Sequence, residues 1–276
     1  LPGAEQSDHN GAGLAHHGDD LALICEAVRA AGSVAAPMQA KGARNWLKDG
    51  NAPVTEADMA VDKLLFERLT QARPAYGWVS EESHPTQPAE GAGVDRSFVV
   101  DPIDGTRGFI DGSDEWTICV AMLEAGKPAV GVVFNPQRDE MFTAILGGGA
   151  ACNGGALKVN QRDVLKGARL AASKKAIRTL GDAKADIIAR YVPSLAYRLA
   201  GVASGVYDGT ISTGRAHIWD IAAAAVIVTE AGGLVTDVKA APPVYTEQDH
   251  RVPPLVVAGP GLHESLCNAL SGSGAT

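Results

Sequence analysis

Cysteine is scarce and unpatterned. Cys25, Cys119, Cys152 and Cys267 are spread over 276 residues without a C-x-x-C pair, which argues against a zinc site or a disulfide framework and suits reduced thiols. Basic residues form no long block, and 24 Lys and Arg stand against 32 Asp and Glu for a net charge of −8. Nucleic acid and anionic membrane surfaces are therefore not expected as partners. No apolar run approaches the ~18 to 20 residues of a membrane span, and the Gly-, His- and Asp-containing start lacks the basic and apolar regions of a signal peptide. A cytoplasmic location is expected. Also missing are a G-x-S-x-G elbow, a D-x-D-x-T phosphate-carrier motif and an H-E-x-x-H pair. Their absence excludes the common serine, phosphoaspartate and histidine-zinc hydrolases.

What is present centres on residues 97–110. Ser97-Phe98-Val99-Val100 reads as a buried strand that meets Asp101-Pro102 and should turn there. Two carboxylates, Asp101 and Asp104, then lie three residues apart on a tight turn. Pro102 restricts the backbone, and Gly105 lets it come close to whatever the carboxylates hold. Carboxylate oxygens with the Ile103 carbonyl between them, and no nearby His or Cys, suit a hard cation such as Mg²⁺. The amides of Gly105 and Thr106 follow directly and favour a bound phosphate.

Around this loop the periodicity predicts a first helix from Asp19–Asp20 through Val28, ending between Gly32 and Pro37. A second helix follows Thr55, whose partner Asp58 makes an imperfect capping box. Gly77 to Ser80 reads as a strand running into Glu81 and Glu82; two adjacent glutamates are usually a solvated surface pair, but this strand can deliver them to the same rim as Asp101. Trp116–Leu123, Ala129–Phe134 and Met141–Leu146 read as an antiparallel meander, with the Gly-rich stretch 147–155 as a closing turn. Later come a strand at 168–172 ending at Ser173, one helix through Ile177, Leu180 and Ile187-Ile188, and a helix from Ser194 to Ser204. An alanine-rich helix opens with Trp219-Asp220, where the helix dipole favours a negative charge. Three parts are expected: a disordered segment 1–18, an α+β lobe 19–155 carrying the metal and phosphate loop, and an α/β lobe 156–276 completing the site.

The motifs Glu81-Glu82-Ser83, Asp101-Pro102-Ile103-Asp104-Gly105-Thr106 and Trp219-Asp220-Ile221-Ala222-Ala223, in this order, resemble the inositol monophosphatase family of Mg²⁺-dependent phosphatases. The likeness implies a layered αβαβα sandwich, usually homodimeric, acting on a small phosphorylated metabolite with two or three Mg²⁺ and inhibited by Li⁺. It places the metal ligands on Glu81, Asp101, the Ile103 carbonyl, Asp104 and Asp220. Thr106 would help Glu81 orient the attacking water, Asp58 would hydrogen-bond that threonine, and the Gly105 and Thr106 amides would hold phosphate. Asp104, Ser173, Ser194, Thr213 and Arg215 are expected on the substrate side. His217 is expected to be structural or at the substrate's edge.

Two departures bear on the alcohol. Thr213 occupies the position of a glutamate that contacts inositol hydroxyls in members acting on inositol phosphates, and Arg107-Gly108 replaces the more usual pair before Phe109. These favour, beside an inositol-phosphate phosphatase, the related 3′(2′),5′-bisphosphate nucleotidases that act on adenosine 3′,5′-bisphosphate. Histidinol-phosphate phosphatase is a further relative. A second anion would want a cation, and Arg107, Lys174, Arg198 and Arg215 are available, with Arg215 the leading choice. From a different class, a binding or regulatory protein could retain the same pocket.

Overall fold

The computed structural model describes residues 5–48, 52–82, 95–214, 216–245 and 250–272. Its first half is organised on a seven-stranded sheet in the order β3-β4-β5-β6-β7-β8-β9. Before it come α1 (Glu5–Ala40), β1 (Asn45–Leu47), β2 (Pro53–Thr55) and α2 (Glu56–Ala72). The sheet itself runs through β3 (Gly77–Ser80), β4 (Arg96–Asp104), the short α3 (Thr106–Ile110), β5 (Thr117–Glu124), β6 (Lys127–Asn135), β7 (Glu140–Ile145), β8 (Gly149–Cys152) and β9 (Gly155–Ala156). β3 and β4 are parallel, and every later pair is antiparallel. The meander is thus where alternating apolar runs placed it, but the Gly-rich stretch 147–155 is not a plain turn. Gly147 and Gly149 take positive φ, and the chain between them reverses into β8, extending the sheet.

A second, five-stranded sheet, β11-β10-β12-β16-β14, is built from β10 (Arg169–Ala171), β11 (Ile188–Arg190), β12 (Gly209–Ile211), β14 (Leu234–Asp237) and β16 (Leu255–Ala258). With it come α4 (Lys174–Arg178), α5 (Leu195–Ala203), the β13 (Ala216–His217) and β15 (Arg251–Val252) pair, α6 (Ile218–Glu230) and α7 (Pro260–Gly272). The single helix expected through Ile188 does not form. Gly181, at φ 57°, ends the helical run in a 3-10 turn, and Ile188 begins a strand.

The layers follow from which faces are apolar. α1 and α2 cover one face of the large sheet, while α5 and α6 fill the space between the two sheets. Leu170, Leu180, Val256, Leu262 and Leu266 close the far side under α7. The result is the expected αβαβα sandwich. α6 is apolar all round, with Ile221 to Val228 buried in an unbroken run, as a helix between two sheets must be. Its closest approach is at Gly131 of β6, where a β-carbon would sit 2.3 Å from the Ala223 carbonyl oxygen.

α1 differs most from the sequence reading. It begins at Glu5, reaching into the stretch expected to lie outside the fold, and continues through Pro37 rather than stopping before it. Its segment His16–Ala40 also has the length and mean hydropathy of a membrane span, correcting the expectation that no run approaches one. The apolar residues have another use here. Ile24, Ala27, Val28, Ala31 and Ala35 are buried in the core with Val130, Val132 and Phe134 of β6.

Candidate active site

Two strand ends and one helix start meet at one rim. Ser80 is paired with Val100 across the parallel β3 and β4, and the Glu81 amide donates to the Val100 carbonyl at 3.2 Å, so Glu81 and Asp101 emerge side by side. β4 does not end at Asp101. It runs to Asp104 with a register shift between them, Asp101 opposite Cys119 and Asp104 opposite Thr117. The irregularity accommodates Pro102, which has no N–H for the ladder. From the other side α6 brings Asp220 in its first turn, fixed by the His217 amide donating to Oδ2 at 2.8 Å.

One carboxylate oxygen from each of Glu81, Asp101 and Asp220 lies within 4.8 Å of the other two. At that spacing each charged pair repels by about 3 kcal/mol at an effective dielectric of ~20. Burial first, then the neighbouring carboxylates, pushes the Asp101 and Asp220 carboxyls well above the usual range. Asp101 is buried, and its Oδ1 has no hydrogen-bond partner. An orphaned buried oxygen among converging carboxylates, with no sulfur or imidazole in the set, fits a hard, oxygen-loving cation. Glu81, Asp101 and Asp220 would hold it; Asp104 is near enough for its charge to act on Asp101 and Asp220, while the Ile103 carbonyl accepts from the Thr106 hydroxyl.

Asp104 is placed differently from these three. Its Oδ2 accepts from the Ser194 hydroxyl at 2.5 Å and the Ala196 amide at 2.6 Å, so it satisfies the exposed amides at the start of α5. Burial lifts its carboxyl to about 6 against the pull of those donors. Gly105 makes this docking possible: its φ is 93°, and a β-carbon there would lie 3.0 Å from the Ser194 nitrogen. Thr106 follows, with its hydroxyl donating to the Ile103 carbonyl at 3.1 Å and 3.5 Å from Asp58 Oδ1. Asp58 is itself held by the Thr55 amide at 2.8 Å and hydroxyl at 2.6 Å, and its burial raises it to about 6. The imperfect capping box read from sequence is real, and it aims the free Asp58 oxygen at Thr106.

The sequence reading missed Lys48 and undervalued Glu82. Lys48 Nζ reaches Glu81 at 3.2 Å and Glu82 at 2.5 Å. Burial pulls the ammonium down, but Glu82 and Glu81 outweigh it and leave it above the ordinary lysine value. Glu82, expected as half of a solvated pair, has a side chain only 3 % exposed and is pushed up to about 7, chiefly by burial. The available signal was Lys48 itself, a cation directly after β1 and a few residues before the start of α2.

Beside Asp220 opens a cleft of about 220 Å³ lined by Ser173, Arg198, Ser212 and Thr213 among others. Ser173 and Thr213, expected on the substrate side, are among its lining residues. Ser194 is not: it is fully buried, its hydroxyl spent on Asp104 and on accepting the Tyr197 amide. Arg215 lies outside the described residues. His217 precedes α6 and stacks on Trp219 with ring centroids 4.6 Å apart, a structural placement.

The model of the inositol monophosphatase family matches residues 19–274. The chain belongs to the inositol monophosphatase family. It is 34% identical over 232 residues to inositol monophosphatase 2 of Solanum lycopersicum, covering 80% of this chain and 86% of that one. To the Nus factor SuhB of Pasteurella multocida it is 34% identical, covering 91% and 95%. Among solved structures, the suhB extragenic suppressor protein of Bartonella henselae superposes with a TM-score of 0.82 at 29% identity, covering 91% and 98%. An IMPase from Thermotoga maritima gives 0.81 at 25%, covering 92% and 98%. Family membership explains why three motifs so distant in sequence share one rim: the sandwich packs α6 against β4 and α5 against the loop after it.

Proposed function

We propose that this protein is a Mg²⁺-dependent phosphomonoesterase that hydrolyses a small phosphate ester, with water as the nucleophile. The observation that carries the reading is the meeting of Glu81, Asp101 and Asp220 within 4.8 Å around an unpartnered Asp101 oxygen. Bound Mg²⁺ supplies charge neutralisation at phosphate and acidification of water. The chain's own residues do the positioning. Glu81 and the Thr106 hydroxyl orient the water, Asp58 and the Ile103 carbonyl fix that hydroxyl, and the Gly105 and Thr106 amides hold phosphate oxygens. Li⁺ inhibition, a homodimeric state and a cytoplasmic location belong to the same proposal.

Within the family, an inositol phosphate is the first substrate to try. The relatives named Nus factor SuhB raise a second reading, a role through a protein partner, but a water-orienting pair beside a metal-competent triad favours turnover. The test is phosphate release from inositol 1-phosphate, adenosine 3′,5′-bisphosphate, histidinol phosphate and fructose 1,6-bisphosphate, with and without Mg²⁺. Release that requires Mg²⁺ supports the reading, and a kcat/KM at least ~10²-fold higher for one ester names the substrate. No release from any of them with Mg²⁺ present refutes it in favour of the partner-binding role.

A further inference from the structure

One side chain lining the cleft beside Asp220, that of Arg198, carries a positive charge that no carboxylate among the described residues pairs with at close range. Among the described residues, Arg73, Arg96, Arg138, Arg169 and Arg190 each meet a carboxylate within 3.4 Å. Arg198, half-buried, meets none among the same residues, and the charge of Asp104 reaches it only at longer range. A guanidinium withdrawn from water without a counter-ion is costly unless something else supplies one.

The side chain is nevertheless held firmly. Nε donates to the Val192 carbonyl at 2.6 Å and Nη2 to the Pro193 carbonyl at 3.3 Å. The guanidinium lies over the Tyr191 ring at 5.2 Å. These contacts use two of the five N–H donors and fix the plane of the group. They satisfy hydrogen bonds but neutralise nothing. The remaining donors belong to a side chain that lines the same cleft as Asp220, where Ser173, Ser212 and Thr213 add hydroxyls.

Resting on the phosphatase reading above, we propose that Arg198 receives a second anionic group, phosphate or carboxylate, carried on the alcohol part of the substrate. Thr213 supports this selectivity by its neutrality. A carboxylate there would pair with the guanidinium and repel an incoming anion; a hydroxyl does neither. The arrangement disfavours a substrate whose alcohol carries an ammonium group. A cleft of about 220 Å³ also limits the leaving alcohol to a small group, or to one that extends partly into solvent.

Two matched pairs of esters test it: adenosine 3′,5′-bisphosphate against adenosine 3′-monophosphate, and 2-phosphoglycerate against glycerol 2-phosphate. The first pair reads a second phosphate and the second a carboxylate. Wild-type enzyme should favour the doubly anionic member of at least one pair by 10-fold or more in kcat/KM. Arg198→Gln should lower that ratio about 10- to 100-fold, the range for a charge-assisted contact, through KM, and Arg198→Lys should restore part of it. No preference in either pair, or an equal loss on both members, overturns the proposal. Should no ester, including p-nitrophenyl phosphate, release phosphate with Mg²⁺, the phosphatase reading fails separately. Calorimetric titration with adenosine 3′,5′-bisphosphate and with 2-phosphoglycerate then decides Arg198 alone. Binding of either that weakens at least tenfold in Arg198→Gln supports the anion site; equal binding, or none to the wild type, overturns it.

Discussion

Removing divalent cations should make this protein less stable as the pH rises, and Mg²⁺ should oppose that loss. Asp58 and Asp104 are held at about 6 in the fold, Glu82 at about 7, and Asp101 and Asp220 are also raised. A carboxyl with a raised folded value binds its proton more tightly than the unfolded chain does. Its stabilising contribution is complete below the ordinary value of 3.8 to 4.5 and is lost as pH climbs through 6 to 7. At 1.36 kcal/mol per pH unit, Asp58 and Asp104 would each lose about 2 kcal/mol between pH 4.5 and 7.5.

Groups with depressed values, such as Asp114 and Asp208, complete their titration below this window and do not mask the trend. His217 and His263 are held below 6.5, chiefly by burial, and work in the opposite direction below pH 6.5. His263 acts alike in both conditions, and bound Mg²⁺ would hold His217, 3.9 Å from Asp220, lower still and so widen the gap with rising pH; the gap between Mg²⁺ and chelator is therefore the decisive quantity. Melts followed by tryptophan fluorescence from pH 4.5 to 7.5 should lose roughly 10 °C in EDTA, at about 2 to 4 °C per kcal/mol for a chain near this size. In millimolar Mg²⁺ the loss should shrink or reverse, because only the deprotonated carboxylates bind the ion. A gap independent of pH, or an EDTA melting point that climbs steadily across the window, would refute both the acidic-cluster reading and its sign.

Other outcomes follow from single residues. Asp101→Asn should raise the melting point in EDTA at pH 7.5 by several degrees, by removing a buried charge, while abolishing most Mg²⁺ stabilisation and turnover; unchanged Mg²⁺ dependence would remove Asp101 from the ligand set. Thr106→Ala should lower kcat about 10- to 100-fold with a smaller change in KM, as expected for a group that aligns water, and steady-state kinetics separate the two. Gly131→Ala should cost about 1 to 3 kcal/mol in urea unfolding, because its methyl group would push α6 off β6 at the Ala223 carbonyl. A neutral result there would mean α6 can shift without cost.

Much of the site was legible because it is local. Asp101-Pro102-Ile103-Asp104-Gly105-Thr106 carries its own turn chemistry, and Thr55 with Asp58 carries its own cap. What could not be read is whatever depends on packing between distant segments. Glu82 looks solvated beside Glu81 until Lys48 is folded against it, and Ser194 looks accessible until Gly105 lets α5 close over Asp104. Pro102 reads as a strand stop, whereas a register shift lets β4 continue past it to Asp104.

Arg198 is the instructive case, since half of its placement was in the sequence. Ser194 caps α5 and turns its hydroxyl towards Asp104; the Arg198 amide bonds back to the Ser194 carbonyl at 3.3 Å. Residues four apart on a helix share a face, so a side chain at 198 must lie near whatever Ser194 caps against. Proximity along the chain to the Asp220 helix pointed to Arg215 instead. Helical periodicity from a capping residue adds a second guide, because a cap fixes the rotation of its helix, whereas a loop residue's distance in sequence fixes no direction. Burial then does what periodicity cannot: it separates a guanidinium that solvent would neutralise from one left waiting for an anion.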